Sequence, residues 1–85
     1  MRISFIKIKA QDAEPEMLIR ILGRIYRLIE KDKNAKMKKG VMWLGQRECE
    51  LMLGGVGWVD VEDEGVYQFA LYDFEDYEIV EKFNP

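Results

Sequence analysis

The chain has 85 residues, 48% hydrophobic and 34% charged, a composition that fits one compact domain over residues 1–85. His and Thr are absent, Ser4 is the one serine and Cys49 the one cysteine, which excludes Ser-His-Asp triads, Cys-His dyads, His-ligated metals and a disulfide framework. The net charge of −3 hides a polarity, because residues 1–45 sum to +6 and residues 46–85 to −9; such asymmetry points to an interaction surface or to pairing between the halves.

In chain order, Arg2 to Ala10 reads as a first strand. Ile3 and Phe5 share one parity and Ile6, Ile8 and Ala10 the other, as expected for a strand buried on both sides or bulged near Phe5. A helix is expected next, capped by Asp12, with Pro15 in its first turn, and running to about Lys33. At ~100° per residue its apolar residues, Met17, Ile19, Tyr26 and Leu28 among them, cover a little over half the circumference, more than one sheet contact requires. The opposite strip carries Arg20, Arg24, Arg27 and Lys31, with Gly23 at its edge at a cost of ~1 kcal/mol relative to Ala.

Asn34 to Gly40 is a Lys-rich connection. Val41–Leu44 and Glu48–Leu53 then read as a hairpin joined around Gln46, and Trp58–Glu62 and Val66–Tyr72 as a second one around Asp63-Glu64-Gly65, with Gly65 supplying a positive φ. Tyr77, Ile79 and Phe83 fit a strand, although Phe74, Tyr77, Val80 and Phe83 also fit a helical stripe; the strand is favoured. The expected class is α+β, one amphipathic helix on a mainly antiparallel sheet in the order β-α-β-β-β-β(-β). The opening strand and helix resemble half of a ferredoxin-like or ACT-like unit, and the all-strand continuation departs from it; that likeness carries no function.

Several constellations bear on function. Asp60-Val61-Glu62-Asp63-Glu64-Gly65 begins like a calcium loop, but the twelfth position is Leu71 where a bidentate Glu is needed, so a solvated turn is the better reading. Asp73, Glu75, Asp76, Glu78 and Glu81 form a second acidic cluster among Tyr72, Phe74 and Tyr77. A metal-assisted hydrolase built on Asp60, Glu62 and Asp73 would need those carboxylates to converge. Gly54-Gly55-Val56-Gly57 lacks the following Lys-Ser or Lys-Thr of a phosphate loop and reads as a strand break. Cys49, Trp43 and Trp58 read as core.

The expectation from sequence is a small cytoplasmic, non-enzymatic binding or regulatory protein, without cofactor, metal or small-molecule ligand and with no membrane partner. It acts through protein–protein contact, with a homodimer through Met17, Ile19, Tyr26 and Leu28 as the nearest form. A nucleic-acid-binding module is the first alternative, using Arg20, Arg24, Arg27, Lys31, Lys33, Lys36, Lys38 and Lys39 on phosphates; against it stand an acidic pI near 5.0 and the lack of interleaved aromatics. The second alternative is an acidic, phage-type inhibitor that mimics nucleic acid with Asp60, Glu62, Asp63, Glu64, Asp73, Glu75, Asp76 and Glu78. Few amides, no Thr or His and many mixed charges also match the trend of heat-adapted proteins.

Overall fold

The computed structural model describes residues 2–84, with side chains for residues 2–82. The expected helix is absent. Strand accounts for 59% of the chain and, among the described residues, no helix reaches seven residues, so the α+β class gives way to a nearly all-antiparallel sheet. The elements are β1 (Arg2–Lys9), a 3₁₀ turn (Ala10–Asp12), β2 (Leu18–Ile21), β3 (Arg24–Lys31), β4 (Gly40–Leu51), β5 (Trp58–Asp60), β6 (Tyr67–Tyr72) and β7 (Asp76–Asn84). Among the described residues no helix is long and apolar enough to cross a membrane.

The segment read as a helix is a tight hairpin. Leu22 and Gly23 both take positive φ, 49° and 77°, and Ile21 pairs with Arg24 across them, which is the two-residue loop that matches the twist of paired strands. Its apolar residues imitate a helix because cross-strand partners around such a loop fall at odd separations. Ile19 pairs with Tyr26, seven positions away, and seven residues are close to two helical turns. The β-branched Ile19, Ile21, Ile25 and Ile29 favour the strand, and Gly23 supplies the turn.

The strands are ordered β1-β7-β2-β3-β4-β5, with β6 also on β4. β4 is a single 12-residue strand, so no hairpin forms at Gln46. One flank of it pairs with β3; the other pairs with β6 along Gly40–Gly45 and with β5 along Cys49–Leu51. β5 and β6 therefore follow one another along β4. Gly65 is not at positive φ; the 63–65 turn is held instead by the Gly65 N–H donating to Asp63 Oδ1 at 2.8 Å.

Three register slips bend the sheet. Glu81 of β7 is the extra residue opposite Ser4–Phe5, so the irregularity near Phe5 lies on the partner strand and not in β1; Glu48 is extra opposite Ile25–Tyr26, and Ile29 is extra opposite Gly45–Leu44. Such bulges sharpen local twist. The end of the chain is the strand favoured from sequence, and the side chain of Phe83 lies outside the described residues.

The main core lies on one face and gathers Ile19, Tyr26, Leu28, Trp43, Leu71 and Ile79 under Ala10 and Ala13. The Trp43 indole N–H has no acceptor among the described residues. On the other face a row runs through cross-strand partners Lys7, Glu78, Arg20, Ile25, Cys49 and Asp60. Ile25 and Cys49 are buried there. Phe5 of β1 meets Trp58 of β5 edge-to-face at 5.9 Å, and the Arg20 guanidinium lies over both rings at 5.3 and 5.7 Å. β1 and β5 stand at opposite ends of the strand order, so the sheet curls until its two edges meet through side chains, an open barrel.

Candidate functional site

The hairpin dissolves the basic ridge. Arg20 faces Glu78 at 3.7 Å, Arg24 faces Glu50 at 3.9 Å, and Arg27 donates to Glu48 at 2.8 Å and to Gln46 at 2.7 Å with Glu16 at 3.5 Å. Lys31 stands over the Trp43 ring at 5.9 Å. With Lys9–Asp76 at 2.6 Å, four of these ion pairs join residues before Gly45 to residues after it, so part of each charged half is paired with the other within one molecule. Lys33, Lys36, Lys38 and Lys39 are exposed and form no ion pair among the described residues.

The acidic residues are likewise divided. Asp60 ends β5, Glu62, Asp63 and Glu64 lie between β5 and β6, Asp73 and Glu75 occupy the β6–β7 turn, and Asp76 and Glu78 begin β7. Asp76 and Glu78 are engaged by Lys9 and Arg20. Asp63 is engaged most: the Tyr67 hydroxyl and then the Gly65 N–H hold its carboxyl below the ordinary aspartate range, and Arg47 at 3.4 Å adds to this. Among the described residues no three Asp, Glu, Cys or His side chains form a metal-binding group. Burial, then Asp60, pushes the Cys49 thiol up, which is the state of an inert cysteine.

The residues expected to bury a homodimer are inside the molecule. Ile19 and Leu28 are fully buried, Tyr26 nearly so, and Met17 is half-buried against the same core. The wide apolar arc was the sum of two strands facing one core, so those four positions offer no face to a second chain.

Two surfaces that the sequence concealed lie at opposite ends of the β3–β4 pair. At one end the Leu22-Gly23 turn and the β4–β5 loop form an apolar tip, tied by the Leu51 N–H donating to Gly23 O at 2.9 Å. Leu22, Leu53 and Val56 are 93, 103 and 88% exposed, and Leu51, Met52 and Val59 are partly so. The visible signal was the charge-free run from Leu51 to Val59; alone it fitted a buried strand equally well. Beside this tip an open cleft of about 380 Å³ separates Arg2–Ser4 of β1 from Gly55–Trp58.

At the other end the Lys-rich β3–β4 connection meets the β6–β7 turn. The Asp73 N–H donates to Lys39 O at 2.9 Å, and Gly40 pairs with Tyr72. The rings of Tyr72 and Phe74 stack there, 5.3 Å apart and 25° from parallel. The aromatics missing from the basic sequence are thus brought beside Lys39, the end of the lysine segment, by the β4–β6 pairing. No family model, no curated protein and no solved structure matches the chain.

Proposed function

We propose that the protein is a small non-enzymatic binding module that works by protein–protein contact, and that a second copy of the chain docks on its apolar tip. The observation that carries this reading is Leu22. A left-handed backbone costs a leucine about 1–2 kcal/mol, and at 93% exposure the side chain returns nothing to this fold. The turn needs the left-handed backbone but not a leucine, and an apolar side chain left in water at such a position favours a contact made outside the molecule.

Its neighbours supply the surface. Leu22, Leu53, Val56 and the partly exposed Leu51, Met52 and Val59 put six exposed apolar side chains on the turn and the loop that the Leu51–Gly23 hydrogen bond ties together, the kind of exposed apolar surface that marks an interaction site. The occupant follows from charge. The tip is rimmed by Arg24 and by Glu50, which Arg47 also holds at 2.6 Å; a rim that carries both signs of charge is self-complementary, as an isologous interface needs.

Solution mass against concentration is the test. A chain of 10.0 kDa should double its mass as concentration rises toward about 1 mM, since the gain of ~1.5–3 kcal/mol per buried aliphatic side chain is offset by the cost of association. Leu53→Asp with Val56→Asp should stay monomeric and folded. A wild-type chain that remains monomeric at that concentration and low salt ends the homodimer reading.

A further inference from the structure

The end of the sheet opposite the tip is built differently. Its aromatic turn is fixed from several sides: the Tyr72 N–H donates to Tyr77 Oη at 2.6 Å, the Glu75 N–H to Tyr72 O at 3.2 Å and the Asp73 N–H to Lys39 O at 2.9 Å. Tyr77 is itself packed against the core. Gly40 brings the lysine segment in, for a Cβ there would stand 2.5 Å from Leu71 O; only glycine lets β4 pass so close to β6. The result is a rigid aromatic step with Lys36, Lys38 and Lys39 leading onto it.

Phe74 is 68% exposed and Tyr72 about 39%. Two stacked rings that stay in water gain little for the fold, but they present a π face on which another planar ring can be added. Cations without ion-pair partners beside such a face meet the two requirements of single-strand binding, stacking for bases and positive charge for the backbone. A duplex hides its base faces and offers this step nothing to stack on.

We infer that the Tyr72–Phe74 step and the adjoining Lys36, Lys38 and Lys39 form a binding site for single-stranded nucleic acid. Bases stack on Phe74 and Tyr72 while the lysines follow the phosphates. The arginines Arg20, Arg24 and Arg27 take no part, being held by Glu78, Glu50 and Glu48. Asp73 and Glu75 share the turn and oppose the phosphates. Glu75 has an internal use, accepting from the Tyr77 hydroxyl at 3.2 Å; the Asp73 side chain has no hydrogen-bond or ion-pair partner among the described residues. The site is independent of the apolar tip, so a chain that does not self-associate leaves it standing.

Fluorescence anisotropy with labelled 12-residue oligo(dT) and oligo(U), and with a 12-base-pair duplex, tests it. Either single strand should bind at low salt, the affinity falling with a log–log slope of about −2 for three neutralised phosphates, and the duplex should bind more weakly. Phe74→Ala, at an exposed position, should weaken binding roughly tenfold. The Lys36→Gln, Lys38→Gln, Lys39→Gln triple variant should flatten the salt dependence, and Asp73→Asn should tighten binding several-fold. Absence of binding to both single strands at low salt overturns the inference. So does equal binding of the duplex, or of inorganic polyphosphate with Phe74→Ala unchanged, since charge alone would then account for the affinity.

Discussion

Gly23→Ala distinguishes a hairpin from a helix by the sign of its effect. In an exposed helix position alanine would stabilise by ~1 kcal/mol over glycine. In the observed turn Gly23 has φ 77°, where a Cβ costs about 1–2 kcal/mol. Nothing lies within 4 Å of the position that Cβ would take, so no packing change confounds the backbone effect. For a chain of this size, with total stability on the order of 4–13 kcal/mol, the loss should lower the urea midpoint by roughly 0.5–1 M and the melting temperature by about 4–8 °C per kcal/mol. Leu22→Asn is the companion variant. Asparagine tolerates φ 49° better than leucine and makes Asn-Gly, the preferred pair for this turn, so it should gain a few tenths of a kcal/mol while weakening self-association. Both are measured by urea denaturation at dilute concentration. An unchanged or higher midpoint for Gly23→Ala would refute the hairpin.

Gly40→Ala should cost about 1–3 kcal/mol, because the new Cβ meets the Leu71 carbonyl, a backbone atom that cannot step aside; a wild-type urea midpoint would contradict this. Asp63 and Asp76 are both held below the ordinary aspartate range, Asp63 chiefly by the Tyr67 hydroxyl and Asp76 chiefly by Lys9. Their folded pKa values being depressed, the stability they give is fully present above the unfolded aspartate pKa of about 3.9 and is lost as pH falls through the folded values. Asp63→Asn should therefore be less stable at neutral pH but show a shallower loss on acidification, and parallel acid limbs for variant and wild type would count against it. Cys49 is buried with its thiol pushed up, so it should react with an aromatic disulfide reagent only on the timescale of opening. Native-state labelling as fast as in denaturant would show that Cys49 is accessible.

What could be read from the sequence was local. The change of parity between Phe5 and Ile6 marked β1 as a strand with apolar residues on both faces, and the alternation at Tyr77 and Ile79 located β7. The hairpin was missed because a separation of seven serves two elements equally, two turns of helix or the cross-strand pair Ile19 and Tyr26. Composition could not decide; the Leu-Gly pair at its centre could have, since glycine there is the strongest mark of a two-residue loop. The candidate surfaces were less legible for a reason of distance. Arg27 meets Glu48 and Arg20 meets Glu78, so which cations remain free depends on strand order, which no local pattern encodes. The same holds for Phe74, whose nearness to Lys39 exists only because β6 pairs with the start of β4.

The place of β7 governs how the molecule comes into being. It lies between β1 and β2, so during synthesis the first two strands wait without a partner on that flank until residues 76–84 have been made. At ~5–20 residues per second the wait is several seconds, long compared with hairpin formation. The β2–β3–β4 stretch can assemble meanwhile, as can β5 and β6 beside β4, because every strand these pairings need has been made before β7. The barrel would then be completed by a last strand slotting into a waiting gap. Charged Arg2, Lys7 and Lys9 on β1 fit that schedule, keeping an unpaired Ile-rich segment from joining the same segment of another nascent chain.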